Sequence, residues 1–304
     1  MQWSSTKATA HPRAHSPNTT DPKPPWKLES LPDAESHRDD RVVRLRRQLA
    51  KLEEADSLRK PIRQVLEILL HCRKGERCGS PACPICKRNE RGSLVRDMLT
   101  IWPDQPEVLV RLKALTLVHQ SWIIPAGELD KLHPRTITDK LRKQFQRMGF
   151  TGIIIGGIDG SYDPDLEVWF IHVHLIVEGL TKEMVEKFRD LYPASERIPV
   201  PVMAGPVNEA ARQFSYVCKS FWNWRHRYVD DEGHYNTVEK KRRVPEPHHT
   251  EYLLWLDRFA VSDLMLLVGL RRYGGQLRPW GNCQRASTSK RIRDLSSAIR
   301  RRIK

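Results

Sequence analysis

Apolar positions recur at helical spacing in two early stretches of the chain. Val42, Leu45, Leu49 and Leu52 form one stripe, and Ile62, Val65, Leu66 and Leu69 form a second. Pro61 falls in the first turn of the second helix, where its missing N–H costs nothing. Downstream the pattern becomes mixed. Residues 113–118 (KALTLV) read as a strand, 134–148 as a helix, and 151–159 (TGIIIGGID) as a second strand. A turn at 160–165 (GSYDPD) leads into a third strand over 166–177, followed by a helix over 181–192, a short strand near 198–203 and a helix over 207–222. This β-α-β-β-α-β order plus a helix predicts an α+β fold, with a central antiparallel sheet covered by helices on one face.

The flanks read differently. Residues 1–38 hold six of the 21 prolines and no apolar periodicity, which predicts a disordered tail. Residues 223–248 are polar and charged, as in an exposed loop or hairpin, and an apolar run over about 250–270 reads as a long buried helix. Past 280 the chain is rich in Arg and Lys, with Asp294 the one acid, and forms a basic tail. The expected division is a tail at 1–38, a helical segment with a cysteine knuckle at 39–100, a central domain at 101–225, and a loop, helix and basic tail at 226–304.

Charge adds a partner class. Lys and Arg outnumber Asp and Glu by 52 to 37, a net charge of +15 that attracts polyanions such as nucleic acid. The apolar run near 260 is interrupted by Asp257, Arg258 and Asp263, so no membrane span is expected. The N-terminus lacks a basic-then-apolar pattern, which predicts a cytoplasmic protein.

The chemistry concentrates in three places. Along Phe170–Glu178, alternation puts His172, His174 and Glu178 on one face of a strand and Ile171, Val173, Leu175 and Val177 on the other. Two adjacent imidazoles with a carboxylate suit a divalent ion, and the third ligand is a choice between Asp159, on the neighbouring strand, and Glu178. In the helix over 207–222, Tyr216 and Lys219 share a face with Arg212 one turn earlier. A tyrosine hydroxyl attacks only where a cation or metal-bound phosphate favours its phenolate, and Lys219 supplies that cation. Finally, Cys72, Cys78, Cys83 and Cys86 are set apart by five, four and two residues, the last pair at the tight spacing of a structural zinc site. Lys74, Arg77, Lys87, Arg88 and Arg91 surround the knuckle and offer DNA contacts; Cys218 and Cys283 read as ordinary packed or surface cysteines.

Together these motifs resemble the HUH endonuclease superfamily, in particular plasmid-type rolling-circle replication initiators. KALTLVHQSW at 113–122 is similar to the first motif, FIHVHLIVEGL at 170–180 to the metal motif, and SYVCKS at 215–220 to the Tyr-x-x-Lys motif. The resemblance covers residues 70–222. It implies a ferredoxin-like sheet, a catalytic Mg or Mn ion on His172, His174 and an acidic residue, structural Zn in the knuckle, and Tyr216 as nucleophile aided by Lys219. It also implies single-stranded or cruciform origin DNA as substrate, with a host helicase and polymerase as partners and oligomers a further option. Family strands often carry Glu where Asp159 stands, and Ser220 leaves a single nucleophile at this spacing. The alternatives are a transposase or relaxase with the same chemistry, and a non-catalytic zinc-containing DNA-binding regulator.

Overall fold

The two strands at the centre of the chain, 153–163 and 168–178, are buried almost without a break. Strands buried on both faces need a packed layer on each side, so the helices cover both faces of the sheet and not one. The computed structural model describes residues 28–219, 222–224, 227–229, 235–237 and 242–280. In chain order these form α1 (Leu31–Lys51), α2 (Arg59–His71), α3 (Pro84–Ile101), the single turn α4 (Pro106–Leu109) and β1 (Leu112–Pro125). There follow α5 (Pro134–Arg147), β2 (Ile153–Asp163), β3 (Val168–Glu178), α6 (Lys182–Leu191), β4 (Val202–Pro206) and α7 (Ala210–Val217). The remainder is β5 (Asn223–Trp224), β6 (Arg227–Val229), β7 (Tyr235–Thr237), β8 (Arg242–Arg243), α8 (His248–Asp257), β9 (Met265–Val268), β10 (Leu270–Tyr273) and β11 (Gln276–Pro279).

The chain is α+β around a curled mixed sheet in the order β4-β1-β3-β2-β5-β8, with β9 also paired to β2. β1–β3, β2–β3 and β1–β4 are antiparallel. β5 runs parallel to β2 through Ser161↔Asn223 and Tyr162↔Trp224, which makes the sheet mixed where a purely antiparallel one was expected. The outer edge of β2 is shared: β9 covers Ile154–Gly157 and β5 covers the end near Tyr162. On one face Leu117, Ile158, Val173 and Leu175 pack with Leu45, Ile62, Leu141, Phe188 and Trp255 from α1, α2, α5, α6 and α8. On the other, Ile153, Ile155 and Ile176 pack with Leu94, Val95 and Met98 of α3, Phe214 of α7, and Leu270 and Leu277 of β10 and β11. The first of these cores draws on residues from Ala34 to Leu266, so all three expected segments after the tail contribute to it.

Other expectations change as well. The segment expected to be a disordered tail ends early: α1 starts at Leu31, where Ser30 and Asp33 form a reciprocal capping box and Pro32 fits the first turn. Residues 1–27 of that tail, and the basic tail after 280 with Cys283, lie outside the described residues. α3 gives no amphipathic stripe because it is buried on more than one side, Ile85 and Cys86 in the first core and Leu94, Val95 and Met98 in the second. The expected helix over 250–270 stops at Asp257; after a 3-10 turn at Val261–Leu264, residues 265–268 become β9. Pairing with the edge of β2 satisfies backbone groups on both strands, and short apolar runs do not distinguish strand from helix in the sequence. The turn expected at 160–165 shrinks to the residues after Asp163, whose Oδ1 accepts from the N–H groups of Asp165 and Leu166. Among the described residues no helix is long and apolar enough to cross a membrane.

The paired glycines of β2 are spacers. A Cβ on Gly156 would collide with the carbonyl oxygen of His174, and one on Gly160 would lie 2.7 Å from the Trp222 ring. Because the obstacle at Gly156 is backbone, it cannot swing aside. We predict that Gly156→Ala destabilises the fold by about 3 kcal/mol, the upper end of overpacking costs, read as a lowered urea midpoint with an unchanged slope.

Candidate functional site

The register of the three central strands assembles the site. On β2 and β3, Asp159 lies opposite His172 and Gly157 opposite His174. On the other side of β3, Thr116 of β1 lies opposite His174 and Val118 opposite His172. Asp159 and His174 are only 4% and 6% exposed, so their polar atoms need partners. His174 Nδ1 is 2.9 Å from the Thr116 hydroxyl, its Nε2 is 3.7 Å from Asp159 Oδ2, and Lys219 Nζ donates to the same Oδ2 at 3.1 Å. Two atoms are left over: Asp159 Oδ1 and His174 Nε2 are buried with no hydrogen-bond partner. Burial pushes the Asp159 carboxyl up, but the Lys219 charge first, and then the neighbouring His174 and His172 rings, outweigh it and hold it well below the usual carboxylate range. Asp159 is therefore an anion at neutral pH.

That pair of orphaned atoms has the donor chemistry of a divalent-ion site: an imidazole nitrogen and a carboxylate oxygen. If the Nδ1–H of His174 donates to Thr116, its Nε2 lone pair is free to bind an ion, the usual arrangement behind a ligating histidine. His172 stands further off, half-buried, its ring centre 6.0 Å from that of His174. Among the described residues, only the four cysteines bring three or more ligand atoms within metal-binding reach of one another. An ion on His172, His174 and Asp159 would need those atoms to draw closer. The other candidate, Glu178, is at the far end of β3, where Trp102 Nε1 donates to Oε2 and Arg111 pairs with Oε1, each at 2.9 Å. It is not part of this cluster.

Tyr216 comes down onto the histidines from α7. The helix expected over 207–222 ends at Val217, so Lys219 lies beyond it; a turn from the Lys219 N–H to the Tyr216 carbonyl at 3.0 Å keeps the two residues together. The Tyr216 ring is 4.8 Å from the His174 ring, and Lys219 Nζ is 5.7 Å from the centre of the Tyr216 ring. Tyr216 is 45% exposed and faces a cleft of about 520 Å³ also lined by Arg91, Thr116, His174, Asn208 and Arg212. Lys219 thus joins the anion at Asp159 to the tyrosine at the cleft mouth.

Three residues that hold this geometry carried no site assignment in the sequence. Gly157 lets α7 approach: a Cβ there would lie 3.0 Å from the Val217 carbonyl oxygen. Thr116 was readable as the one polar residue between Leu115 and Leu117, facing opposite to them. Arg91 of α3 donates from Nε to the Ser215 carbonyl at 2.9 Å while pairing with Glu29 at 3.1 Å, so it braces α7. The expected DNA contact of the knuckle through Arg91, Lys87 and Arg88 changes accordingly: Lys87 is buried and Arg88 donates to the Glu29 carbonyl.

The cysteine cluster anchors α3. Cys72 follows α2, Cys83 caps α3, Cys86 lies in its first turn, and the pairs Cys72–Cys86, Cys78–Cys86 and Cys72–Cys83 are each 3.5 Å apart at sulfur. Four thiolates on one zinc sit roughly 3.8 Å from one another, given Zn–S bonds of about 2.3 Å, so this cluster could hold structural zinc. The Gly79 N–H donates to Cys86 Sγ at 3.3 Å, and the hydrogen bonds that Cys86 receives within the cluster hold its thiol below the usual range. Cys218 is an ordinary buried thiol, pushed up to about 12 by burial. No disulfide is needed for this arrangement.

Three outcomes follow from this geometry. Lys219→Met leaves Asp159 buried with a lost partner and lowers stability by about 3 kcal/mol, while Asp159→Asn added to it restores much of the loss, read by chemical denaturation. Because the Asp159 carboxyl is held below its ordinary value, its contribution is complete above about pH 4 and fades only as pH falls further. For the cysteines, we predict one zinc per chain by elemental analysis, with Cys83→Ser losing the metal and several degrees of melting temperature.

Comparison of the chain with family models, with curated proteins and with solved structures finds no match.

Proposed function

We propose that this protein is a DNA-nicking and strand-transfer endonuclease of the HUH type, which initiates rolling-circle replication. The observation that carries the reading is one cluster: the exposed ring of Tyr216 against His174, with Lys219 reaching from that ring to Asp159. The element order β1-α5-β2-β3-α6-β4 over residues 112–206 is compatible with the reading, and the charge of +15 suits a phosphate backbone.

In this reading Tyr216 Oη attacks the scissile phosphorus in line. The Oη–P bond forms, the bond from phosphorus to the 3′-oxygen breaks, and the leaving oxygen takes up a proton to become a free 3′-OH. The DNA remains on the protein as a 5′-phosphotyrosine, so the phosphodiester energy is retained and a later 3′-OH reverses the step without ATP. Lys219 favours the phenolate and neutralises phosphate oxygens. A divalent ion such as Mg or Mn, held by His172, His174 and Asp159, would supply Lewis-acid polarisation of the phosphate. Thr116 orients the His174 ring, and Arg91 fixes the turn of α7 that carries the nucleophile.

One observation favours a second reading. Lys219 already pairs with Asp159, and the three ligand atoms do not converge, as suits a zinc-containing DNA-binding regulator that cuts nothing. The two readings part on a denaturing gel. Incubated with labelled single-stranded origin-like DNA and Mn or Mg, the nicking reading expects covalent protein–DNA adducts. Tyr216→Phe should abolish them, and His174→Ala should slow them by about a hundredfold or more, as loss of a Lewis acid worth several kcal/mol requires. Adducts that persist in Tyr216→Phe would exclude this nucleophile, and a wild-type chain that forms none favours the regulator.

A further inference from the structure

Away from the cleft, the hairpin of β10 and β11 has two unlike faces. Its inner face holds Leu270 and Leu277, each about nine-tenths or more buried, and Arg272, which pairs with Glu90 of α3 at 2.5 Å. Asp97 of the same helix accepts the Leu277 N–H at 2.9 Å, so the hairpin is fixed to α3. The outer face carries Arg271, Tyr273 and Arg278, and Trp280 follows directly. Tyr273 and Trp280 are 63% and 54% exposed, large aromatic surfaces left in water.

The arginines make this face unusual. Arg271 and Arg278 are directly opposite each other across the hairpin, a like-charge pair that weakens a two-stranded ribbon. Among the described residues neither has an acidic partner in an ion pair; Arg278 donates only to Gln276, at 3.2 Å. Instead the Arg271 guanidinium stacks 3.6 Å from the Trp280 ring centre, and Arg271 and Arg278 lie 5.7 and 5.6 Å from the Tyr273 ring centre. Two aromatic planes interleaved with two uncompensated guanidiniums match a strand of alternating base and phosphate. A duplex, whose bases are already stacked, offers no free base to such planes.

We propose that the outer face of the β10–β11 hairpin binds single-stranded nucleic acid, with bases stacking on Tyr273 and Trp280 and phosphates held by Arg271 and Arg278. The site extends the nicking reading, and rests on it in taking the strand to be part of the same DNA substrate. Its chemistry differs from that of the cleft: it needs no divalent ion and makes no covalent bond.

The test is equilibrium binding of the full chain, by fluorescence anisotropy, to labelled oligo-dT of about twenty nucleotides and to a duplex of the same length, without added Mg or Mn. Oligo-dT should bind more tightly than duplex. Trp280→Ala and Tyr273→Ala should each weaken oligo-dT binding by roughly five- to a hundredfold, with Trp280→Phe keeping most of it. The double change Arg271→Ala with Arg278→Ala should lower the slope of log K against log salt by about 1.4, at about 0.7 for each phosphate contact. Melting temperatures of the variants guard against simple unfolding, since the aromatic pair is exposed. Oligo-dT affinity that is unchanged in the aromatic variants, or equal losses for duplex and single strand, overturns the proposal. Adduct formation is scored separately: a chain that binds through the hairpin yet forms no adduct rejects the nicking reading alone, and adducts with unaffected binding reject the hairpin site alone.

Discussion

The register between β2 and β3 is the constraint on which the rest depends. A strand has a side-chain period of two, so a slip of one residue between them would put Asp159 on the opposite face from both histidines and bring an isoleucine of β2 beside them in its place. The apolar residues of β2 and β3 fix that register on both faces at once, which is why three polar side chains can be held in a buried layer. The cost of holding them there is met locally, by Thr116 on one side and Lys219 on the other. Stability and candidate chemistry therefore draw on the same few hydrogen bonds.

A second dependence runs through α3. Its first turn belongs to the cysteine cluster, its middle braces α7 through Arg91, and Glu90 and Asp97 hold the β10–β11 hairpin. A metal bound by four thiolates would thus act at a distance, by keeping one helix rigid. Loss of that rigidity would reach the turn that carries Tyr216 without any ligand of the metal being near it.

Legibility in the sequence followed periodicity. β2, β3, α5 and α6 were readable because each shows a single strong pattern, and alternation alone put His172 and His174 on one face. α3 was not, because burial on several sides erases the stripe that marks a helix. The apolar run near 260 was ambiguous because its strand is defined by a partner, the edge of β2, which local sequence does not contain. At the site, Asp159, Tyr216 and Lys219 were found as motif residues, while Gly157 and Arg91 act by letting backbone approach and by holding a carbonyl, functions that depend on what lies opposite. Of the two acids expected as alternatives, Asp159 and Glu178, the pairing of strands places only Asp159 across from His172.

The position of β9 has a consequence for synthesis on the ribosome. β2 and β3 emerge early, but the strand that covers Ile154–Gly157 follows only after α8. Until then the nascent chain displays an apolar strand, Ile-Ile-Ile, with open hydrogen-bonding groups along one edge, a template for pairing between chains. The two acids and the arginine that interrupt the later apolar run, Asp257, Arg258 and Asp263, put charge beside the covering strand, a composition that opposes pairing between chains. Slow translation through this interval would lengthen the period in which the half-built sheet depends on chaperones.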